Sequence, residues 1–308
     1  MNLFASVLTY PAPSANYRGE SELNRTVIQK VTDRRFDYPI ISPEAMRNAL
    51  REILAGYGLP CNRERLHDEE QLAVKFSDYP NPHQFVDDFI FGYLVAAGKS
   101  LRAEILKEVG RKDFTFKRDS VLRMNLAKGL EPYRHNAIFT QSPLAAEGSK
   151  YKNATTSALL HRETAVTPFQ YPFAINLNDC AEKPDWTKQL LKAIGELNGV
   201  AGNHARSYFE MAPASIVIRL TNQLVAGYET YGFKQICETA DGVRYGFPEV
   251  VNGILHNPPD YDGTEFYIGG RIVKEMEEST IATLTERGVT LDRDPRRLIN
   301  TVSEKAFA

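Results

Sequence analysis

At 308 residues the chain has room for one elaborated domain or two ordinary ones. With 43% apolar and 25% charged residues it has the profile of a folded globular protein, which excludes a disordered or collagen-like chain. A net charge of −2 argues against binding nucleic acid by bulk charge, and three scattered cysteines (Cys61, Cys180, Cys237) exclude a disulfide framework and a CxxC metal pair.

Leu3 to Tyr10 reads as a first strand. A polar stretch rich in Pro, Ser, Asn, Arg and Gly follows, far longer than the about 2–6 residues of an ordinary connection. Thr26 to Val31 and Tyr38 to Ile41 are short strand candidates. "SPEAMRNALREIL" then opens a helix, with Ser42 as N-cap, Pro43 in its first turn, an apolar stripe from Ala45 to Leu54, and Gly56 and Gly58 at its end. Residues 57–130 have the character of an insertion: a charged stretch, a Pro-Asn-Pro break, an apolar helical run from Gln84 to Ala97, and a basic helical stretch past Lys99. Turn residues fill 131–156. Ser157 to Ala165 and Phe169 to Leu177 read as strands. Asp185 is expected to cap a helix ended by Gly199, and "ASIVIRLT" (Ala214 to Thr221) is the clearest buried strand. An amphipathic helix is expected around Ile272 to Arg287. Without the inserts, this order suits an α+β, ferredoxin-like split βαβ sandwich.

No apolar run is long enough to cross a bilayer; Phe89 to Gly98 reaches about half the required length. No secretory signal is evident, and the cysteine usage suits a reducing cytoplasm. The six histidines lack HxxxH or HExxH spacing, and GxSxG, Walker A and GxGxxG motifs are missing, so neither catalytic residues nor a metal or cofactor is expected. "HDEE" at His67 is a bare His-Asp dipeptide in a charged stretch.

Charge is unevenly spread. Thirteen basic residues face six acidic ones between Lys99 and Arg162, while acids gather from Asp260 to Glu278. An anionic partner or head-to-tail self-association would use such a split, and so would two ordinary solvated faces. Three segments carry anion- or base-binding residue types. Ser14, Asn16, Arg18 and Gly19 suit phosphate and sugar contacts, with Lys30 following, but equally an ordinary surface loop. Asn203, His204 and Arg206 sit beside Gly202, just before the best strand. "RHNAIFTQSPL" sets Ile138, Phe139, Thr140, Gln141 and Leu144 in a projection suited to wedging between bases, docking on a neighbour, or packing on itself.

Together these segments resemble the Cascade backbone subunits of type I CRISPR systems, a branch of the RAMP superfamily, and more narrowly their DevR-like (type I-B and I-A) members. The resemblance rests on "SVLTYPAPSANYRGESELNRTVIQKV", on the helix motif Ser42, Ala45, Arg47, Ala49, Leu50, Arg51, on "HNAIFTQSPL" and on "GNHARSYFEMAPASIVIRLT". It covers roughly 3–55 and 131–222. It implies an RRM-like palm (1–56 plus 157–308), a fingers-like insertion (57–130) and a thumb-like β-hairpin region (131–156). It also implies copies stacked head to tail along a CRISPR guide RNA, which pairs with target DNA among other Cascade subunits. By carry-over Ser14, Asn16, Arg18, Lys30 and Arg47 would hold guide phosphates; Asn203, His204 and Arg206 would line the same palm; and Ile138 to Leu144 would form the thumb. Aromatic RNP submotifs are not evident, so stacking of bases on the sheet is not implied. Type III relatives cleave RNA with an Asp after the first strand, whereas Tyr10 to Glu22 holds only Glu20 and Glu22. A non-catalytic subunit is therefore expected; a type III-like metal-dependent endoribonuclease and a DevR-type regulatory protein are the alternatives.

Overall fold

The computed structural model describes residues 1–14, 17–22, 25–65, 74–141, 159–200, 210–224, 228–240 and 242–307. Its centre is an open, mixed sheet of nine strands. From one edge to the other run Thr290–Asp292, Phe266–Gly270, Ser215–Thr221, Asn2–Leu8, Phe169–Asn176, Ala127–Gly129, Phe36–Ile41 and Lys30–Asp33, with Leu122–Met124 also paired to Phe169–Asn176. All pairs are antiparallel except Phe266–Gly270 with Thr290–Asp292. Leu3 stands opposite both Ile175 and Leu220, so the three most apolar strands occupy the centre, where both edges are paired and both faces covered.

Strand periodicity divides the side chains between two cores. Leu3, Ala5, Val7, Phe169, Tyr171, Phe173, Ile175, Ile216 and Ile218 join one large cluster with the apolar stripes of Pro43–Gly56, Pro184–Gly195 and Pro295–Ala306. Leu8, Val217, Phe266 and Ile268 join a second cluster with Phe233, Phe247, Val250 and Ile254. Polar groups hold that second layer down: Ser6 Oγ donates to Thr230 O at 2.8 Å, and Phe233 N donates to Gln170 Oε1 at 3.2 Å.

The first helix begins as its sequence dictates. Ala45 N donates to Ser42 Oγ at 3.3 Å, Pro43 opens the first turn, and Met46, Ala49, Leu50 and Leu54 are buried. The basic stretch past Lys99 is also helical, Lys99–Val109.

Five local expectations are corrected. The apolar run from Gln84 is helical only over Val86–Phe91, because Gly92 takes a φ of +65° and turns the chain into Tyr93–Leu94, which pairs with Lys117–Arg118. Lys183, not Asp185, occupies the N-cap of the next helix; Asp185 sits in its first turn, and the helix ends at Gly195, four residues before Gly199. The helix expected over 272–287 is two, Arg271–Lys274 and Glu278–Glu286. The long opening loop is largely strand, Ala12–Ser14 and Tyr17–Glu22, and the strand expected over 26–31 is two, Arg25–Ile28 and Lys30–Asp33.

Candidate nucleic-acid interface

The opening segment and the hairpin form a single structure. Ala137–Gln141 pairs antiparallel with Leu159–Glu163, which pairs parallel with Arg25–Ile28, which in turn pairs with Tyr17–Glu22. Arg18 therefore lies in the same four-stranded sheet as Ile138, Phe139, Thr140 and Gln141. Register sets Phe139 opposite His161, with the rings 4.2 Å apart, and Phe139 is 61% exposed. Ile138, opposite Arg162, is also exposed. Asn16, Leu144, Asn203, His204 and Arg206 lie outside the described residues.

The base of this sheet is tied by a fully buried carboxylate. Glu163 accepts from Ile28 N at 3.2 Å and lies 3.6 Å from Lys30 Nζ and 3.8 Å from His135 Nδ1. Lys30 Nζ also sits 4.3 Å over the Tyr133 ring, and Tyr133 Oη lies 3.2 Å from His135 Nδ1. Ser14 is buried beside it, donating to Ala165 O at 3.4 Å. Ser14, bonded to Ala165, and Lys30, paired with Glu163, thus both meet the 163–165 segment, with their polar atoms engaged by protein groups.

Arg47 belongs to a different place. Arg47 and Arg51, one turn apart on Pro43–Gly56, line an open pocket of ≈ 460 Å³ with Arg63 and Arg118 of the insertion. Arg51 is 9% exposed; its Nη1 donates to Asn48 Oδ1 at 2.7 Å, but its Nε makes no hydrogen bond and lies 3.9 Å from Asp87 Oδ2. Arg47 Nη2 donates to Leu122 O at 3.4 Å, while its Nε and that of Arg118 are buried without a hydrogen-bond partner. Arg63 Nη2 donates to Gly92 O at 3.3 Å. Three of these guanidiniums stack on rings of the insertion: Arg51 on Phe91 at 4.6 Å, Arg63 on Phe76 at 5.0 Å and Arg118 on Phe89 at 5.2 Å. Burial, reinforced by Arg63, holds the Arg51 pKa down to about 10.

Local structure fixes these four side chains. Asp87, also buried, accepts from Asn62 N at 2.8 Å and Arg63 N at 3.0 Å, which anchors Arg63 to Val86–Phe91. Asp88 accepts from Asn62 Nδ2 and Asn81 N, both at 2.9 Å. At Gly92 a Cβ would stand 2.3 Å from Arg118 O, so only glycine permits the close pairing that sets Arg118 over the pocket. Arg51 stands in the helix motif four residues after Arg47, a spacing that itself marks a shared face. Arg63 and Arg118 carry no local signal, being brought there by the insertion's own fold.

A larger groove of ≈ 810 Å³ runs between the 30–41 hairpin and 229–234, lined by Arg34, Arg35, Tyr38, Lys128, Tyr231 and Lys234 among others. Its lysines are already paired, Lys128 with Asp33 and Lys234 with Glu229 at 2.8 Å. Among the described residues the smaller pocket's arginines have one ion pair, Arg51 with Asp87 at 3.9 Å, so it is the stronger anion site. Among the described residues no cluster of His, Cys, Asp or Glu suits a metal ion, and no helix is long and apolar enough to cross a membrane.

An open mixed sheet with helical insertions is also the fold of two solved chains. One, from a "CRISPR RNA-guided surveillance complex", superposes with a TM-score of 0.58 at 13% identity, with 100% of both chains covered. Another, from a "CRISPR RNA-guided surveillance complex, pre-nicking", gives 0.58 at 12% identity with the same coverage. No family model matches the chain. Among curated proteins, the "CRISPR-associated protein Cas7/Cst2/DevR" of Myxococcus xanthus (strain DK1622) is 28% identical over 286 residues, 90% of this chain and 88% of that protein. The chain is thus similar along nearly its whole length to a Cas7/Cst2/DevR protein, and the resemblance to Cascade backbone subunits read from the sequence is borne out.

Proposed function

We propose that the protein is a non-catalytic CRISPR RNA-binding backbone subunit, stacked head to tail along the guide RNA of a Cascade-like surveillance complex that presents the guide to target DNA. The observation that carries this reading is the similarity to a Cas7/Cst2/DevR protein along nearly the whole chain. The strand order Ser215–Thr221, Asn2–Leu8, Phe169–Asn176, Leu122–Met124, antiparallel throughout with the helices Pro43–Gly56 and Pro184–Gly195 packed on one face, supports an RRM- or ferredoxin-like palm. On this reading the hairpin around Phe139 is the thumb, and 57–130 the fingers, except for its two sheet strands. Asn16, Arg18, Arg47, Asn203, His204 and Arg206 are guide contacts. Lys30 and Ser14 act behind them, holding the thumb's base.

A sequence-independent guide binder contacts backbone and leaves base edges free, because pairing supplies specificity. Identical subunits meeting through two different surfaces form an open filament, which suits a basic middle segment and an acidic tail. Neighbouring Cascade subunits would cap such a stack, in the cytoplasm. The test is co-expression with a CRISPR array, reading the absorbance ratio at 260 and 280 nm and the elution volume. Large, RNA-rich particles are expected; an RNA-free monomer overturns the reading.

A further inference from the structure

We propose that the groove between the 30–41 hairpin and residues 229–234 is a docking site for a second copy of this chain, which inserts its own 258–262 loop. The inference rests on the stacked reading above and deepens it by naming two surfaces that meet. One is an aromatic groove rimmed by Arg34 and Arg35; the other is a Pro-Pro loop carrying Asp260 and Asp262.

The hairpin tip is built to present charge. Asp33 pairs with Phe36, which leaves Arg34 and Arg35 as a two-residue turn, and Thr32 Oγ1 donates to Asp37 Oδ1 at 2.7 Å across the hairpin. A turn of this length needs a left-handed backbone at its first position and favours glycine or asparagine there. Arg34 takes that conformation instead, with a φ of +58°, and among the described residues no other non-glycine does. A long side chain kept at a strained position points to a use for it. Both arginines are exposed and make no ion pair among the described residues, and Phe36 beside them is 55% exposed.

Behind the tip the groove is aromatic and electrically spent. Tyr38 and Tyr231 line it, Lys128 Nζ lies 4.4 Å over the Tyr38 ring and is paired with Asp33, and Lys234 is paired with Glu229. A polyanion gains little from lysines that carboxylates already neutralise. An aromatic groove with free cations on one rim suits a Pro-rich segment flanked by acids, whose proline rings lie on the tyrosine faces. At ≈ 810 Å³ the groove has room for several side chains.

The chain's only Pro-Pro dipeptide, Pro258-Pro259, stands in such a segment, followed by Asp260 and Asp262. All four residues are exposed. The loop is held in shape by its own bonds: Asp260 N donates to Gly253 O at 2.8 Å, Tyr261 Oη to Glu249 Oε1 at 3.0 Å and Thr264 N to Asp262 Oδ1 at 2.9 Å. A loop arranged in advance loses little freedom on docking. It leads into Phe266–Gly270, which lies six strand positions from Lys30–Asp33, roughly 30 Å across the sheet. Loop and groove thus sit toward opposite edges of one molecule and meet between copies. A contact of two different surfaces repeats without closing, as an open filament requires.

The experiment uses the full chain on guide RNA long enough for several copies, with particle size read by analytical ultracentrifugation. One variant carries Arg34→Glu with Arg35→Glu. The other carries Asp260→Arg with Asp262→Asn, whose amide oxygen keeps the bond to Thr264. Each variant alone sets like charges against each other and is expected to raise the concentration needed for multi-copy particles about tenfold or more. An equimolar mixture restores opposite charges at every contact and is expected to return particles of wild-type size. A folded variant that assembles alone like the wild type overturns the proposal, and so does a mixture that fails to recover. RNA too short for a second copy should bind all three proteins alike; a loss there as large as the loss in assembly assigns the groove to RNA and overturns the docking. Wild-type protein that binds RNA but forms no multi-copy particle overturns the stacked reading itself, and this interface with it.

Discussion

Removing the carboxylate of Glu163 should loosen the hairpin from the body of the protein. Glu163 is fully buried and serves three segments at once: Ile28 N at 3.2 Å, Lys30 Nζ at 3.6 Å and His135 Nδ1 at 3.8 Å. In Glu163→Ala the buried Ile28 N–H loses a charged acceptor, a loss of about 1.5–3 kcal/mol. Lys30 loses its counter-charge as well, but its side chain is 24% exposed and water takes over part of that role. The total therefore falls near about 3 kcal/mol, at the low end for a broken buried pair. Glu163→Gln keeps a carbonyl acceptor for Ile28 and loses only the charge, so about 1 kcal/mol is expected. The loss is local, which makes amide hydrogen exchange the right assay. Protection should fall across 25–33, 137–141 and 159–165 in the order wild type, Gln, Ala. Trp186, packed 5.8 Å from Phe89 in the other layer, should report nearly unchanged fluorescence during mild urea titration. Equal protection in all three proteins would refute the idea that this carboxylate holds the hairpin's base.

Glu265→Ala should destabilise the second core by about 3–5 kcal/mol, because Arg219, 4% exposed and 2.7 Å from Glu265, is left as a buried charge without its partner; a thermal melt measures it. Gly92→Ala should disrupt the pairing of Tyr93–Leu94 with Lys117–Arg118, since its Cβ would meet Arg118 O at 2.3 Å, and proteolysis within the insertion should accelerate. Ser42→Ala should lower stability by about 1 kcal/mol through loss of the N-cap, read as a shift in urea midpoint. Cys237 is exposed, whereas burial, then Asp87, pushes the Cys61 thiol up to about 12, and burial also raises that of buried Cys180. Thiolate is the reactive form, so at pH 8 the folded protein should show one fast-reacting thiol and the urea-unfolded chain three.

The elements legible in the sequence are those whose residues carry their own reason to fold. Asn2–Leu8, Phe169–Asn176 and Ser215–Thr221 are apolar enough to demand the middle of a sheet, and Ser42-Pro43 announces a helix start. Ala12–Ser14 and Tyr17–Glu22 give no such warning. Their partners lie up to some 150 residues away, as Ser14 opposite Ala165 illustrates, so pairing rather than propensity makes them strands. Phe266–Gly270 is fully buried yet ends in Gly-Gly, which reads as a turn. Pro295–Ala306 has Asp294 as cap and Leu298, Ile299, Val302 and Ala306 on one face, signals as plain as those at Ser42, but it lies beyond the elements assigned from the pattern. Half of the arginine pocket was equally out of reach: Arg47 and Arg51 share a helix face, but Arg63 and Arg118 meet them only once the insertion has folded around Asp87 and Gly92.

A protein with a net charge of −2 can still hold a polyanion, because what decides is the partner each cation keeps. In the second half of the chain most of the paired arginines are spent on carboxylates: Arg219 on Glu265, Arg271 on Glu275, Arg297 on Asp292, with Lys188 on Glu304. Between residues 51 and 118 five arginines stack instead on phenylalanines: Arg51 on Phe91, Arg63 on Phe76, Arg102 on Phe116, Arg111 on Phe114, Arg118 on Phe89. Among the described residues only Arg51 of these five has an ion pair, and that one spans 3.9 Å. A carboxylate partner cancels a guanidinium's charge and occupies its donors. An aromatic face does neither; it orients the plane, shields one side from water and leaves the edge open. The insertion's phenylalanines therefore serve as charge-neutral supports, keeping a row of guanidiniums both ordered and uncompensated. That combination is what a phosphate backbone needs, and a count of acids against bases over the whole chain averages it away.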